Sequence, residues 1–360
     1  MTWPDRKILD LFHIRLPIVQ APLAGFGTPE LAIGAGQAGA LASLPCASLS
    51  PDQIRAGVAA IRKAVAGPLN LNFFCHEAIA PNPEREAAWR SRLLPHYREL
   101  GLDPNTPSPA GGRKPFDDMQ CALVEELRPD VASFHFGLPD AELLRRVKAT
   151  GAKVISSATT VAEARWLEDH GADAVIAMGA EAGGHRGNFL SHDMARQPGT
   201  FALVPQVVDA VSVPVIAAGG IGDGRGIAAA LALGASAVQI GTAYLFCPET
   251  RVSEVHRAAL AKARDEDTEI TNLFTGRPAR GIVNRLMQEF GPLSPDLPAF
   301  PSAADALAPL KTKAEAEGSG DFSNLWSGQA AGLARPMGAQ ELTRHLAKEA
   351  LACLSRLAAS

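Results

Sequence analysis

The sequence predicts an α/β fold: a parallel (β/α)₈ TIM barrel with a smaller, mostly helical C-terminal segment. Three observations predict it. Eight short apolar runs alternate with helix-like stretches, the rhythm of repeated β–α units. Each run is almost continuously apolar, as strands buried on both faces of a parallel sheet must be. Glycine-rich loops follow the seventh and eighth runs, where barrels of this kind commonly bind phosphate. The 360 residues exceed the roughly 250 of a minimal barrel, which leaves room for the extra segment. An open doubly wound sheet is the alternative that the same alternation allows.

The first strand is expected at Leu16–Gln20, followed by a loop at Ala21–Gly27. Thr28 then caps a helix whose first residue is Pro29, a position where the missing N–H costs nothing. The second strand is Ala40–Leu44, with Ser50 capping a helix through Val65, and the third is Leu69–Phe74. The fourth is Val131–Phe136, followed by a helix over Asp140–Thr150. Lys153–Ser156, Ala174–Met178, Val213–Ala218 and Ala237–Ile240 complete the set, with a helix at Val161–His170 after the fifth. The run Ile227–Phe246 carries no charge and is long enough to span a bilayer. Gly234 divides it, and Ser236, Gln239 and Thr242 lie inside, so it reads as a helix (Gly226–Leu233), a turn and a buried strand.

Two stretches depart from a minimal barrel. Cys75–Phe116 holds a charged helical piece (Pro83–Leu100) and a Pro/Gly-rich loop (Gly101–Phe116). The chain after about Thr271 includes a polar linker at Lys311–Gly320 and an amphipathic helix near Ala339–Ala358. The barrel is expected over residues 1–270. The helical segment, 271–360, is expected over the barrel mouth, with its last helix packing back on the barrel.

Composition narrows the function. Hydrophobic residues make up 47% and charged residues 20%, a globular balance. The net charge is −4 and no basic tract occurs, which argues against nucleic-acid or polybasic membrane binding. Cys46, Cys75, Cys121, Cys247 and Cys353 are odd in number and scattered, so a disulfide framework or metal site is not expected. The opening Met1-Thr-Trp-Pro-Asp-Arg-Lys7 has no signal-peptide core, and a cytoplasmic location is expected. Oligomeric state is not readable; a homo-oligomer is compatible with the sequence.

In such barrels the C-terminal strand ends carry the site. After the seventh strand comes Ala217-Ala-Gly-Gly-Ile-Gly-Asp-Gly224, and after the eighth Gln239-Ile-Gly-Thr242. Gly219, Gly220 and Gly241 let backbone N–H groups approach an anion, and the Thr242 hydroxyl can complete the cradle. After the sixth comes Gly179-Ala-Glu-Ala-Gly-Gly-His-Arg-Gly187. Gly183 and Gly184 permit close approach, and His185 projects from the loop as a group able to exchange a proton near neutral pH. A lone histidine is more often structural; its place among glycines on the active face of a barrel is what singles it out. Gln20-Ala-Pro-Leu-Ala-Gly25 leaves room for a flat ring beside Ala21, Pro22 and Leu23. Asn72, ending the third strand, offers both a donor and an acceptor to a pyrimidine-like edge.

Taken together with Asn70-Leu-Asn-Phe-Phe74, Ser133-Phe-His-Phe-Gly-Leu-Pro139, Ser157-Ala-Thr-Thr-Val161, Gly276-Arg-Pro-Ala-Arg280 and Trp326-Ser-Gly-Gln329, these motifs resemble the nitronate monooxygenase family, formerly called 2-nitropropane dioxygenases. The resemblance implies FMN as cofactor and His185 as the catalytic residue. It places FMN contacts on Ala21, Pro22, Leu23, Asn72, Met178, Gly183, Gly184, Gly219, Gly220, Gln239, Gly241 and Thr242, and sets His135 beside the substrate. Leu23 stands where the family often has Met, and Met178 where it commonly has Gln, which removes a polar partner for the flavin.

Three functions are therefore open. The first is oxidation of alkyl nitronates, or nitroalkanes, by O₂ to a carbonyl compound and nitrite. The second is an FMN-dependent reductase of quinones or enoyl thioesters driven by NADH or NADPH. The third is a phosphate-binding barrel without flavin, or a flavin binder without chemistry.

Overall fold

The computed structural model describes residues 3–106 and 114–359. Part of the expected Pro/Gly-rich loop, 107–113, lies outside them. The barrel strands are β1 (Ile18–Gln20), β2 (Ala42–Pro45), β3 (Leu69–Phe74), β4 (Val131–His135), β5 (Lys153–Ala158) and β6 (Ala174–Met178). A two-residue strand β7 (Gly184–His185) intervenes before β8 (Val215–Ala218) and β9 (Ala237–Ile240). All barrel pairs are parallel, in the order β1-β9-β8-β6-β5-β4-β3-β2. A bridge between Val19 and Leu41 closes the ring, with Leu41 N donating to Ile18 O at 2.9 Å and Gln20 N to Leu41 O at 3.1 Å. This closure excludes the open doubly wound sheet.

The helix caps read from sequence form by the expected chemistry. The Thr28 side chain accepts from Leu31 N, with Pro29 at the first helical position. Ser50 and Gln53 make a reciprocal capping box on Pro51–Ala64. Asp223 opens Gly224–Ala232, two residues before the expected start, because its carboxylate accepts from Arg225 N and Gly226 N.

Alternation along the strands divides the core. Val19, Leu41, Val131, Ile155, Ile176 and Ile216 fill the barrel interior. A short helix, Lys7–Phe12, plugs the lower end with Ile8, Leu9 and Phe12; it is too short for its period to stand out in sequence. Above this apolar layer the interior turns polar and pairs internally. Asn70 Nδ2 donates to Ser43 Oγ at 3.0 Å, and Asn72 Nδ2 to Ser133 Oγ at 3.0 Å.

The C-terminal segment differs from expectation in two respects. An antiparallel pair, β10 (Thr268–Thr271) and β11 (Ala279–Ile282), joins β7 in a three-stranded sheet. The stretch read as a polar linker, Lys311–Gly320, instead supplies the end of the Ala303–Ala316 helix. Its charges pair along the helix, as in Lys313–Glu317 at 2.7 Å, while Leu310 and Ala314 are buried. That helix packs on the Pro83–Glu99 helix, where Trp89 Nε1 donates to Ala303 O at 3.0 Å and Tyr97 Oη to Ala306 O at 2.7 Å. The final helix, Ala339–Ala359, packs on the barrel helices Pro29–Ala38 and Gly224–Ala232. No helix of the described residues is long and apolar enough to cross a membrane.

Candidate active site

One cavity at the C-terminal mouth is lined by every residue singled out from the sequence: Ala21, Pro22, Leu23, Asn72, His135, Met178, Gly183, Gly184, His185, Gly219, Gly220, Gln239, Gly241 and Thr242. Its floor is the last inward-facing layer of the barrel, including Ile176, Met178 and Ala218. Met178 is buried there, so the thioether faces the cavity from the barrel's top layer.

On the β8 side, Gly219 and Gly220 have φ of 106° and 68°, the left-handed region that favours glycine. Thr242 Oγ1 accepts from Gly328 N at 2.9 Å, which leaves its proton available to a ligand. Across the floor, Gln239 Oε1 is buried with no hydrogen-bond partner. An orphaned acceptor of this kind costs stability unless a donor meets it. A flavin offers such donors, in its ring N–H and ribityl hydroxyls, so the residues present fit that group.

The loop after β6 is held by arginines rather than by its glycines alone. Arg186, fully buried, donates to Gly179 O at 2.8 Å, Met178 O at 2.9 Å and Gln197 Oε1 at 2.6 Å. Burial, then the neighbouring Arg280, lowers its pKa to about 10, so it stays cationic at neutral pH. Arg280 donates to Ala180 O at 2.8 Å, and Arg277 donates to Asn188 O. Gly183 meets the C-terminal segment so closely that an added Cβ would lie 2.4 Å from Gly328 N.

His185 sits on β7, opposite Ala279 of β11. Its Nε2 lies 2.9 Å from Thr275 Oγ1, in the β10–β11 connection. Phe300 and Trp326 flank its ring at centroid distances of 5.3 and 5.5 Å, with Phe136 and Phe74 beyond. His135 has a different setting. Its Nε2 is 3.1 Å from the His185 carbonyl, which can only accept, so Nε2 carries the proton. Nδ1 then accepts from Ser157 Oγ at 3.1 Å. Burial lowers its pKa to about 4, with Arg277 and Arg186 adding to the shift against the His185 hydrogen bond. His135 lines the cavity, yet both its ring nitrogens are committed to protein.

Sequence reasoning assigned no role to several residues that complete this site. Trp326, Ser327 and Gly328 line the cavity because their segment runs beside β11, with Ile282 N donating to Leu325 O at 2.8 Å. Glu181 also lines it and caps the Thr200–Ala210 helix, accepting from Thr200 N at 2.8 Å. The Trp326-Ser-Gly motif was visible as a motif, but nothing local placed it at the mouth.

Comparison with known proteins agrees over nearly the whole chain. A family profile described as nitronate monooxygenase matches residues 6–349. A nitronate monooxygenase of Pseudomonas aeruginosa is 42% identical over 345 residues, 94% of this chain and 97% of that protein. The crystal structure of a nitroalkane oxidase from Streptomyces ansochromogenes superposes with a TM-score of 0.88 at 36% identity, covering 98% of this chain and all of that one. FabK from Thermotoga maritima gives 0.74 at 29% identity, covering 99% and 98%.

Proposed function

The chain belongs to the nitronate monooxygenase family, and from that premise we propose that it holds FMN in this cavity and oxidises alkyl nitronates, and nitroalkanes, with O₂. The products are a carbonyl compound and nitrite. It is a flavin-dependent oxidoreductase, as its relatives are. The observation that carries the assignment of the site is the convergence of His185, the Gly219–Gly220 cradle and the unpartnered Gln239 Oε1 on one cavity.

In this reading the backbone of Ala21, Pro22 and Leu23, the side chains of Asn72 and Gln239, and Met178 hold the ring. Gly183, Gly184, Gly219, Gly220, Gly241 and Thr242 hold the ribityl phosphate. A flavin held here would supply the electron-transfer chemistry between nitronate and O₂. The chain supplies position and dryness. Leu23, Phe74, Met178 and Trp326 give the cavity an apolar wall that excludes water from the anion. His185 orients the nitronate, or takes the carbon proton when the neutral nitroalkane is the substrate.

The purified protein is expected to be yellow and to release FMN, not FAD, on denaturation. Mixed anaerobically with propionate 3-nitronate it should bleach; in air it should yield nitrite. A colourless protein that takes up no added FMN sinks the cofactor assignment. Rapid bleaching by NADH with none by nitronates hands the function to a nicotinamide-dependent reductase.

A further inference from the structure

The chain that carries His185 runs hard against a pair of side chains at the barrel mouth. His135 ends β4, Ser157 lies near the end of β5, and both line the cavity. Gly187 follows His185 by two residues. A Cβ built on Gly187 would lie 2.8 Å from Ser157 Cβ and 3.0 Å from His135 Cε1. Gly187 is not among the glycines with positive φ, so lack of space, rather than backbone conformation, calls for glycine here. Hydrogen bonds then fix the His135 ring. The His185 carbonyl can only accept, so His135 Nε2, 3.1 Å away, carries the proton. Nδ1 is left bare and accepts from the Ser157 hydroxyl at 3.1 Å. Ser157 therefore favours the tautomer that can hold the His185 backbone. In the other tautomer a ring lone pair would face the carbonyl oxygen. The ring is also held from behind: Cys75 N donates to His135 O at 2.8 Å, and Phe136 and Phe74 pack at centroid distances of 4.4 and 5.8 Å.

We propose that His135 is a positioning residue: with Ser157 holding its tautomer, it fixes the backbone of His185, and so the place of that side chain, rather than meeting substrate through a ring nitrogen. The proposal rests on the reading of His185 as the group that meets substrate. On its other side the same two-residue strand pairs with β11, where Ala279 lies opposite His185. The His185 backbone is thus clamped between the barrel and the C-terminal sheet, and His135 is the barrel's half of the clamp. A neutral donor suits this place. Arg186 and Arg277 are close enough to disfavour a third positive charge, and burial disfavours it further. The consequence is for orientation. Proton removal from carbon needs the base within hydrogen-bond reach of that proton, and a shift of about 1 Å in the backbone that bears it is costly.

The test is ¹⁵N NMR of histidine-labelled holoprotein, with the His135 and His185 signals among the nine histidines identified by their loss in His135→Gln and His185→Asn. In the wild type, His135 should show a protonated Nε2 and a bare Nδ1, and should stay neutral down to about pH 5. His135→Leu, which removes the donor, should shift the His185 signals. His135→Gln, whose amide N–H can reach the same carbonyl, should leave them nearly in place. The kcat of His135→Leu on a neutral nitroalkane should fall about 10- to 100-fold with KM for preformed nitronate unchanged, and His135→Gln should recover most of that loss. Gly187→Ala, which keeps both partners but crowds them, should change the His185 signals and kcat in the same sense as His135→Leu. A wild-type His135 protonated on Nδ1, or titrating at the ordinary value of about 6.5, overturns the proposal without any variant. So does a His135→Leu protein whose His185 signals do not move. A KM for nitronate that rises in His135→Leu and is not restored in His135→Gln also overturns it, because that marks a substrate contact. A protein that shows the expected tautomer and His185 shifts, yet oxidises no nitronate, keeps His135 in this role and removes only the functional reading.

Discussion

At the scale of single residues, the site works by assigning different jobs to chemically similar groups. His185 and His135 line the same cavity, and His135 spends both ring nitrogens on Ser157 and the His185 carbonyl. On the proposed function, His185→Asn should keep the flavin bound, seen as an unchanged visible spectrum. Its rate on neutral nitroalkanes should fall by about 10²–10⁴, the usual value of general acid–base assistance. The loss should be smaller with substrate supplied as the nitronate; equal rates for wild type and variant on both forms would return His185 to a structural role. Met178 makes a second residue-scale case. A thioether is a weak acceptor and no donor, so the flavin's reduced, more negative state gains nothing from it. Met178→Gln should raise the flavin reduction potential modestly, since a neutral hydrogen bond contributes about 0.5–1.5 kcal/mol. A redox titration and a melting curve on that variant decide the matter: a lower Tm with no gain in potential would mean the amide is simply buried without a partner.

At the scale of elements, the loop between β6 and β7 is a rigid part built from a flexible composition. Its glycines provide close approach, and the arginines provide order. Arg186 places one nearly planar fork on two successive carbonyls, Met178 and Gly179, at the point where the strand ends. Lysine cannot reproduce that fork. Arg186→Lys should lower stability by about 2–4 kcal/mol, the value of one or two charge-assisted bonds lost in a buried place. On the proposed function it should also speed flavin release, because the loop carrying Gly183 and Gly184 loses its anchor. Denaturant melts and the rate of flavin loss on dilution measure the two effects; a variant as stable as the wild type would show that the clamp is redundant.

At the scale of the whole molecule, two buried neutral histidines hold distant stretches of chain together, and one of them, His256, ties the barrel to its C-terminal segment. His256 Nε2 donates to Trp326 O at 3.0 Å, as His135 does to His185 O. Burial lowers both from 6.5 to about 4. The unfolded chain binds their protons as pH falls through 6.5, while the folded chain resists until about 4. Their contribution to stability is thus complete above pH 6.5 and is lost as pH falls toward 4. Tm should drop through that window, and His256→Gln, which keeps a donor but does not titrate, should flatten the slope. A slope unchanged in that variant would place the acid sensitivity elsewhere.

Much of this architecture is written locally. β3, β6 and β9 coincide with their apolar runs, and Thr28 and Ser50 cap helices where their side chains predict, because strand burial and capping depend on residues a few positions apart. The glycine loops after β8 and β9 come together because strand order in a closed barrel makes them neighbours. Other features had no local signal. β7 is two residues long and exists only because Ala279 and Arg280 pair with it. The linker-like charges of Lys311–Ala316 became a helix because Trp89 and Tyr97, more than 200 positions away, supplied a surface to bury against. Thr275 meets His185 across 90 residues. The sequence by itself determined the barrel and the glycine-rich loops at its C-terminal face; the tertiary structure alone decided which distant segments meet His185 there. The reason is range: local patterns set backbone conformation, whereas a hydrogen bond between distant segments is specified only once packing has brought its donor and acceptor within about 3 Å.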